Sequence, residues 1–264
     1  MPIPHILVTN DDGVTAPGLL ALAQALRPLG RVTIVAPDRN WSASGHVKTL
    51  HKPLRSTEVR LADGTTALAT SGAPSDCVAL ALLGLVDAPI DLVVSGINPT
   101  VNVGHDVTYS GTVTAAMEAA VADVPGIAVS LDAPGVEAGS DAPPGTAIDF
   151  GPAAAIAARI AERVLTHGLP PKTLLNVNVP GLPADDIQGI AITRQGLRVY
   201  RDALITRADP RGRPYHWIGG DAPTGVPEDG TDVGALAAGW VSVTPLQLDM
   251  TAHGFLGALE GWGW

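Results

Sequence analysis

The sequence predicts an α/β fold: a mostly parallel sheet with helices on both faces, followed by a C-terminal β-hairpin or arm. The first observation is the alternation of strand-length apolar runs with helix-length segments through the first two thirds of the 264 residues. The second is the run at residues 91–95, which is largely apolar, as expected of a strand buried on both faces. The third is the composition, because 46% apolar and 16% charged residues are enough to form a sizeable core.

Strands are predicted where short runs are rich in Val, Ile, Leu and Thr. These runs are residues 6–9, 32–35, 65–70, 91–95, 126–131 and 174–179. Helices are predicted where apolar residues recur at helical spacing or Ala is frequent. These segments are residues 17–29, 74–85, 112–121 and 152–165. Pro74 suits the first turn of its helix, Gly30 lies where the first helix should end, and residues 133–145, rich in Ala, Pro and Gly, predict a loop.

The chain changes in character after about residue 189. Three short strands are predicted there: residues 191–193, 198–200 and 240–246. Residues 207–234 between them are polar and rich in Gly, Pro and Asp, and the whole part cannot form an obvious core of its own. We therefore predict an α/β core over residues 1–190 and an extension over residues 191–264 that packs on another subunit of a homo-oligomer.

Charge and cysteine content exclude several classes of protein. Lys and Arg number 16 and Asp and Glu number 26, and the net charge of −10 argues against stable nucleic-acid binding. The single cysteine, Cys77, excludes a disulfide framework and a zinc site built on several Cys ligands. The first residues lack the pattern of a secretion signal, and the longest apolar run, residues 77–86, is shorter than the ~20 residues that span a bilayer. We therefore expect a cytoplasmic protein without a membrane partner.

Polar clusters directly follow three predicted parallel strands: residues 10–13, 38–45 and 95–98. In an open α/β sheet, ligands bind at the carboxyl ends of the strands. The adjacent carboxylates Asp11 and Asp12 would repel each other unless a positive charge lies beside them, and a hard divalent cation such as Mg²⁺ or Mn²⁺ takes such oxygen ligands. The Asn98 amide oxygen and the Ser42 hydroxyl could complete the set. The alternative is that Asn10 to Gly13 form only an Asx-turn or a helix N-cap, and these residues alone leave both open.

A second device for binding phosphate is the start of the helix predicted over residues 112–121. Ser110, Gly111 and Thr112 open it, and free backbone N–H groups together with the helix dipole favour an anion there. Asn102 and Gly104, in the preceding loop, could add donors. The alternative is that Ser110 or Thr112 is only an N-cap residue.

Several other chemistries lack their motifs. No G-x-G-x-x-G follows the first strand, no G-x-x-x-x-G-K-[ST] is present, and no G-x-S-x-G marks a hydrolase elbow. An aspartyl-phosphate phosphatase would need D-x-D after its first strand, whereas here the two aspartates are adjacent. A dinucleotide-binding enzyme, a P-loop NTPase and an α/β-hydrolase are therefore disfavoured.

The chain resembles the SurE-like survival-protein nucleotidases. Matching segments occur in the expected order over nearly the whole chain: T-N-D-D-G-V-x-A-P-G from Thr9, A-P-D-R-N-x-S-A-S-G from Ala36, D-L-V-V-S-G-I-N from Asp91, N-V-G-x-D-V-x-Y-S-G-T-V from Asn102, A-A-M-E from Ala115, N-V-N-V-P from Asn176 and V-S-V-T-P-L from Val241. So many ordered matches are far more specific than a lone glycine motif. One departure is N-P-T-V-N, Asn98 to Asn102, where the family has N-x-G-x-N.

The resemblance implies a Rossmann-like catalytic core with a C-terminal extension exchanged between the subunits of a dimer or tetramer. It implies a phosphatase that uses one divalent ion per subunit (Mg²⁺, Mn²⁺ or Co²⁺) and acts on nucleoside 5′- and 3′-monophosphates. The metal ligands carried over from the family are Asp11, Asp12, Ser42 and Asn98. The residues expected to bind the phosphate or substrate are Asn10, Asn102, Ser110, Gly111 and Thr112.

Our hypothesis is hydrolysis of a phosphomonoester with Asp11 and Asp12 as the catalytic residues. The metal would polarise the phosphoryl oxygen, and water is favoured as the nucleophile because both aspartates are needed as ligands. Charge developing on the phosphoryl group would meet the N–H groups at Ser110 to Thr112. Two alternatives use the same pocket: a non-catalytic nucleotide or phosphate sensor, and a metal-dependent transferase that hydrolyses only slowly.

Overall fold

The computed structural model describes residues 3–136 and 147–264. Most of the loop predicted over residues 133–145 lies outside them. The strands are β1 His5–Thr9, β2 Arg31–Pro37, β3 Ser56–Arg60, β4 Thr66–Thr70, β5 Leu92–Asn98, β6 Gly126–Leu131, β7 Thr173–Val179, β8 Ile190–Ile192, β9 Arg198–Ala208, β10 Pro214–Gly225 and β11 Val241–Gln247. The α-helices are α1 Pro17–Leu26, α2 Pro74–Leu80, α3 Gly111–Val121, α4 Gly151–His167, α5 Asp232–Ala237 and α6 Leu256–Glu260.

Nine strands form one twisted, mostly parallel sheet, which confirms the predicted α/β class. Their order is β3-β4-β2-β1-β5-β6-β7-β11-β8. The pairs from β4 to β7 are parallel, whereas β3 runs antiparallel to β4, and β11 runs antiparallel to β7. Strands β9 and β10 form a separate antiparallel hairpin.

Both faces of the sheet are covered, and alternate residues of the central strand β1 show how. Ile6 and Val8 pack in the cluster that contains the apolar face of α1 and α4, whereas Leu7 packs in the cluster that contains α2 and α3. A strand buried on both sides must be apolar at every position, which is why the sequence of β1 shows no alternation. None of the described helices is long and apolar enough to cross a membrane.

Two predicted helices are shorter than the sequence suggested. The first ends at Leu26 and continues as a 3₁₀ turn, Arg27–Leu29, because Pro28 has no N–H to continue the α-helical ladder. The second gives way after Leu80 to a wider turn, Ala81–Leu85, in which Gly84 has a φ of 114°. The carboxyl-terminal end of each predicted helix is therefore distorted.

The C-terminal part of the chain contributes to two structures. Strands β8 and β11 lie within the main sheet, whereas β9 and β10 form the hairpin. Residues 207–234, for which no element was predicted, contain all of β10 and the first half of α5. Neither β10 nor the edge strand β3, also missed, has an apolar alternation, because each is mostly exposed and is held by main-chain pairing with one neighbour.

Candidate active site

A cleft of about 540 Å³ opens at the carboxyl edge of β1, β2 and β5, where the sequence predicted the site. Six of the residues proposed from the sequence line it: Asp11, Asp12, Ser42, Asn98, Asn102 and Ser110. The other three, Asn10, Gly111 and Thr112, lie behind its wall and support the residues that do. Three crossover loops that are distant along the chain therefore meet at one place.

Asp11 is the most constrained side chain of the cleft. It is 4% exposed, and one of its carboxylate oxygens accepts a hydrogen bond from the Thr112 hydroxyl. Burial raises the pKa of Asp11 above its ordinary value, and the hydrogen bonds from the Thr112 hydroxyl and from the backbone N–H groups of Thr112 and Gly111 oppose that rise. The first turn of α3 thus faces a buried carboxylate whose charge needs further compensation.

Gly111 allows α3 to approach Asp11 this closely. A Cβ atom added at Gly111 would lie 2.7 Å from Cβ of Asp11 and 2.9 Å from its Oδ2 atom. Ser110 is the N-cap of α3, and its hydroxyl oxygen accepts a hydrogen bond from the backbone N–H of Val113 at 3.1 Å. The N-cap role that the sequence left open for Ser110 is therefore present, and the same residue lines the cleft.

The loop after β1 is closed by Asn10 and by a contact with the loop after β2. The Asn10 side chain is fully buried, donates to the carbonyl of Gly13 at 3.0 Å and accepts from its N–H at 3.2 Å. The backbone N–H of Trp41 donates to the carbonyl of Asp11 at 2.7 Å. The Asn10 side chain thus closes a turn, with hydrogen bonds three residues on instead of the two of an Asx-turn, and this turn presents Asp11 and the half-buried Asp12 to the cleft.

Asn98 and Ser42 have oxygen atoms suited to a cation. The side-chain nitrogen of Asn98 donates to the carbonyl and to the hydroxyl of Thr100, which orients the amide so that its oxygen is the remaining acceptor. The hydroxyl of Ser42 donates to Oδ1 of Asn40 at 2.6 Å and keeps its own lone pairs. Ser42 is exposed, whereas Asn98 is buried.

Asn102 is held in place by residues that the sequence analysis did not single out. Its backbone N–H donates to Asn178 at 2.8 Å, its carbonyl accepts from the side chains of Asn176 and Asn178, and its side chain donates to Ser130 at 2.8 Å. The signal that could have found this support is N-V-N in β7, because asparagines two apart share one face of a strand. Buried asparagines need polar partners, and the backbone of Asn102 bonds to the side-chain nitrogen of both and to the side-chain oxygen of Asn178.

The loop that carries Ser42 is anchored to α3 by a buried carboxylate, Glu118. Nε2 of His46 and Nζ of Lys48 lie 2.9 Å from its two oxygens, and the Glu118 side chain is 8% exposed. The hydrogen bond from His46, and then the bond and charge of Lys48, outweigh burial and lower the pKa of Glu118. Further along, Thr49 donates twice to Asp76 of α2, at 2.8 and 2.7 Å. The sequence alone did not indicate these contacts, since they join residues 27 to 72 positions apart.

The donor set of the cleft fits a hard divalent cation. It offers two carboxylates, an amide oxygen and a hydroxyl, all of which are oxygen ligands of the kind that Mg²⁺ or Mn²⁺ takes. Among the described residues, no group of three or more His, Cys, Asp or Glu side chains is placed to hold a metal. A cation bound at Asp11 and Asp12 would compensate the charge that burial disfavours on Asp11.

Known proteins are similar to this chain over nearly its whole length. The family model described as "Survival protein SurE" matches residues 6–202. A 5′-nucleotidase SurE from Chloroflexus aggregans is 50% identical over 260 residues, covering 98% of this chain and 99% of the relative, and one from Herpetosiphon aurantiacus is 57% identical over 247 residues, covering 94% and 93%. The crystal structure of the SurE protein from Aquifex aeolicus superposes with a TM-score of 0.78 at 39% identity, covering 98% and 99% of the two chains. The chain therefore belongs to the SurE family of survival proteins.

Proposed function

We propose that this protein is a divalent-metal-dependent phosphomonoesterase that hydrolyses nucleoside 5′- and 3′-monophosphates to nucleoside and phosphate. The observation that carries the proposal is the convergence of Asp11, Asp12, Ser42 and Asn98 on one cleft that ends at the start of α3. The name 5′-nucleotidase, borne by relatives that match nearly the full length of the chain, supports the substrate class.

One divalent ion per subunit, Mg²⁺, Mn²⁺ or Co²⁺, would be held by Asp11, Asp12, Ser42 and Asn98. When bound, such an ion polarises the phosphoryl oxygen and lowers the pKa of a coordinated water. Asp11 and Asp12 are the catalytic residues in this proposal, because their carboxylates hold the ion against the reacting group. Water is the nucleophile, since neither aspartate is available to attack while it serves as a ligand.

The start of α3 and the loop before it would bind the phosphate of the substrate. Ser110 lines the cleft at the positive end of the α3 dipole, and Asn102 lines it from the loop that β7 supports. Thr112 acts one step behind, since its hydroxyl donates to Asp11, and Asn10 acts through the turn that presents the aspartates. The dipole of the helix and the cation would together make the local field of the cleft attractive to a dianion, although the net charge of the chain is −10.

Replacing Asp11 by Asn tests the proposal. The Asp11→Asn variant should release no phosphate from adenosine 5′-monophosphate in Mn²⁺, and the full-length wild type should lose activity in chelator and regain it with Mn²⁺. Asp87→Asn, at an exposed position outside the cleft, is the matched control and should keep full activity. Full turnover by Asp11→Asn would contradict the metal assignment, and nucleotide binding without turnover in any divalent ion would favour the sensor. A panel of phosphomonoesters and metals then ranks the substrates.

We also propose that the chain forms a homo-oligomer, a dimer or tetramer, through the β9–β10 hairpin and the C-terminal segment. Large apolar side chains are exposed on both: Leu204, Trp217, Ile218, Trp262 and Trp264 are 62–93% exposed. Such surfaces mark interaction sites, and an arm that leaves the main sheet can be exchanged between subunits. Light scattering should give a mass of two or four chains, and Trp217→Ser with Ile218→Ser should lower it; a monomeric wild type would contradict the proposal.

A cytoplasmic location, expected from the sequence, stays a prediction. The single cysteine is buried and unpaired, and thus suits a reducing compartment. Fractionation of cells that express the full chain checks it.

A further inference from the structure

A third carboxylate, Asp106, lines the cleft on the side of the phosphate-binding loop. It belongs to the short 3₁₀ helix Gly104–Thr108 that precedes α3. Asp11 and Asp12 serve a cation in the proposed site, but Asp106 is not part of that set. An uncompensated carboxylate on this wall would repel the phosphate dianion that the cleft is proposed to bind.

Two side chains of β9 engage both oxygens of Asp106. Nε of Arg198 lies 2.7 Å from Oδ2 in an ion pair whose side chains are only 9% and 17% exposed. The Tyr200 hydroxyl donates to Oδ1 at 2.6 Å. An ion pair with so little solvent around it is screened far less than one on the surface, so Arg198 cancels most of the charge of Asp106.

The backbone of Asp106 links this pair to the residues that face the substrate. Its carbonyl accepts hydrogen bonds from the N–H of Tyr109 at 3.0 Å and of Ser110 at 3.1 Å. Tyr109 and Ser110 both line the cleft, and Ser110 caps α3. Asp106 thus belongs to the same hydrogen-bonded wall as the two residues that face the substrate.

A second contact holds the same 3₁₀ helix from the C-terminal part of the chain. The fully buried carboxylate of Asp232 accepts from the N–H of Gly104 at 2.8 Å and from the N–H of Gly196 at 2.7 Å. Gln195 donates to the carbonyl of Gly104 at 2.9 Å. The segment that precedes and follows the hairpin is thus fastened to the phosphate-binding loop at two points, and Pro223 of β10 lines the cleft itself.

We propose that Arg198, assisted by Tyr200, is a positioning residue of the site: it neutralises Asp106 and holds it so that the cleft accepts a phosphate dianion. The inference rests on the proposed phosphatase function and extends it by assigning part of the substrate affinity to the C-terminal extension. Arg198 acts through Asp106, so its removal should weaken phosphate binding and leave the binding of the metal unchanged.

The experiment compares the full-length wild type with Arg198→Met, Asp106→Asn and the double variant. For Arg198→Met we expect KM for adenosine 5′-monophosphate and Ki for inorganic phosphate to rise about tenfold, while kcat changes less than about threefold. Adding Asp106→Asn to Arg198→Met should restore KM and Ki to within about threefold of the wild type, because the uncompensated charge of Asp106 is then gone. The affinity for Mn²⁺, measured by calorimetry without substrate, should be the same in all four proteins.

A matched control distinguishes this effect from general damage. Asp132 also interacts electrostatically with Arg198 but does not line the cleft. Adding Asp132→Asn to Arg198→Met should therefore not restore KM or Ki. The defect of Arg198→Met should shrink between about 50 mM and 500 mM salt because screening weakens charge repulsion, whereas a packing defect would not respond. Should Arg198→Met fail to fold, Tyr200→Phe is the second variant: it removes the hydroxyl that donates to Asp106, at a partly exposed position, and keeps the arginine. For this variant we expect a smaller rise in KM and Ki.

Unchanged KM and Ki in Arg198→Met would overturn the inference, and so would a double variant as impaired as the single one. Both results leave the phosphatase proposal intact, provided that the wild type turns over in Mn²⁺. An inactive wild type, in contrast, would refute the proposed function. The dissociation constant of inorganic phosphate, measured by calorimetry for the wild type and Arg198→Met, would then still test the role of Arg198.

Discussion

The close approach of α3 to Asp11 yields the sharpest prediction, the effect of Gly111→Ala. Gly111 is the first residue of α3, and the added Cβ would lie 2.7 Å from Cβ of Asp11. Ordinary van der Waals contacts begin at 3.4 Å, so the two atoms must separate by about 0.7 Å. The atom that it meets is bonded directly to the main chain of Asp11, so a side-chain rotation cannot relieve the contact.

A displacement of this size is large for a metal ligand. Ligand distances in metal sites are held within about 0.2 Å, and a shift approaching 1 Å can cost about 100-fold in rate. We therefore expect kcat/KM to fall about 100-fold, which corresponds to about 2.7 kcal/mol of transition-state stabilisation. The affinity for Mn²⁺ should fall about 10- to 100-fold, as it does when groups that orient a ligand are changed.

The assay is phosphate release from adenosine 5′-monophosphate over a range of Mn²⁺ concentrations, together with calorimetric titration of Mn²⁺. Gly151→Ala is the matched control, since Gly151 is also the first residue of a helix. Among the described residues its added Cβ would meet only the side chain of the exposed Asp149, with Oδ1 at 3.0 Å. Wild-type kcat/KM and Mn²⁺ affinity in Gly111→Ala would refute the reasoning, because Asp11 would then not depend on the approach of α3.

Three further predictions concern groups behind the cleft. Thr112→Val removes the hydroxyl donor to Asp11 and should weaken Mn²⁺ binding about tenfold by calorimetry. Thr112→Ser keeps the hydroxyl and should bind Mn²⁺ as tightly as the wild type. An equal loss of affinity in both variants would point to packing instead. The lowered pKa of Glu118 adds stability that is complete above its ordinary value of 4.5 and is lost as the pH falls through the lower folded value. The wild type should therefore lose more of its Tm than Glu118→Gln between about pH 7 and pH 3, and parallel losses would contradict this. Burial raises the pKa of the Cys77 thiol to about 12, so a disulfide reagent at about pH 8 should react with it only in denaturant, and rapid reaction of the native protein would show the burial to be wrong.

The sequence predicted the architecture and the place of the cleft from local patterns. Apolar runs between turn residues indicated the central strands, and the parallel order meant that the loops after β1, β2 and β5 would end at one edge of the sheet. That rule placed Asp11, Asp12, Ser42 and Asn98 at one edge of the sheet, and the resemblance to the SurE-like family indicated the same four residues as metal ligands. The clearest omissions were β3 and β10, whose exposed residues show no alternation because one neighbouring strand holds each of them.

The roles within the site were harder to predict than its members. Asn10 and Thr112 were expected to face the substrate, but Asn10 closes the turn and Thr112 donates to Asp11 from behind. Residue type and position in a loop are local properties, whereas the direction of a side chain depends on what packs around it. The supports Asn178, Glu118 and Arg198 lie 70 to 92 positions from the residues that they hold, so no local pattern could pair them.

By itself, the sequence determined the α/β class, the positions of the core strands and the edge of the sheet at which the polar side chains gather, because apolar periodicity and turn chemistry act over a few neighbouring residues. Only the tertiary structure decided how close α3 comes to Asp11, which carboxylate anchors the Ser42 loop, and that Arg198 of β9 forms an ion pair with Asp106. Those contacts depend on the packing of surfaces from remote parts of the chain, where a separation of a few tenths of an ångström decides whether a hydrogen bond or an ion pair forms.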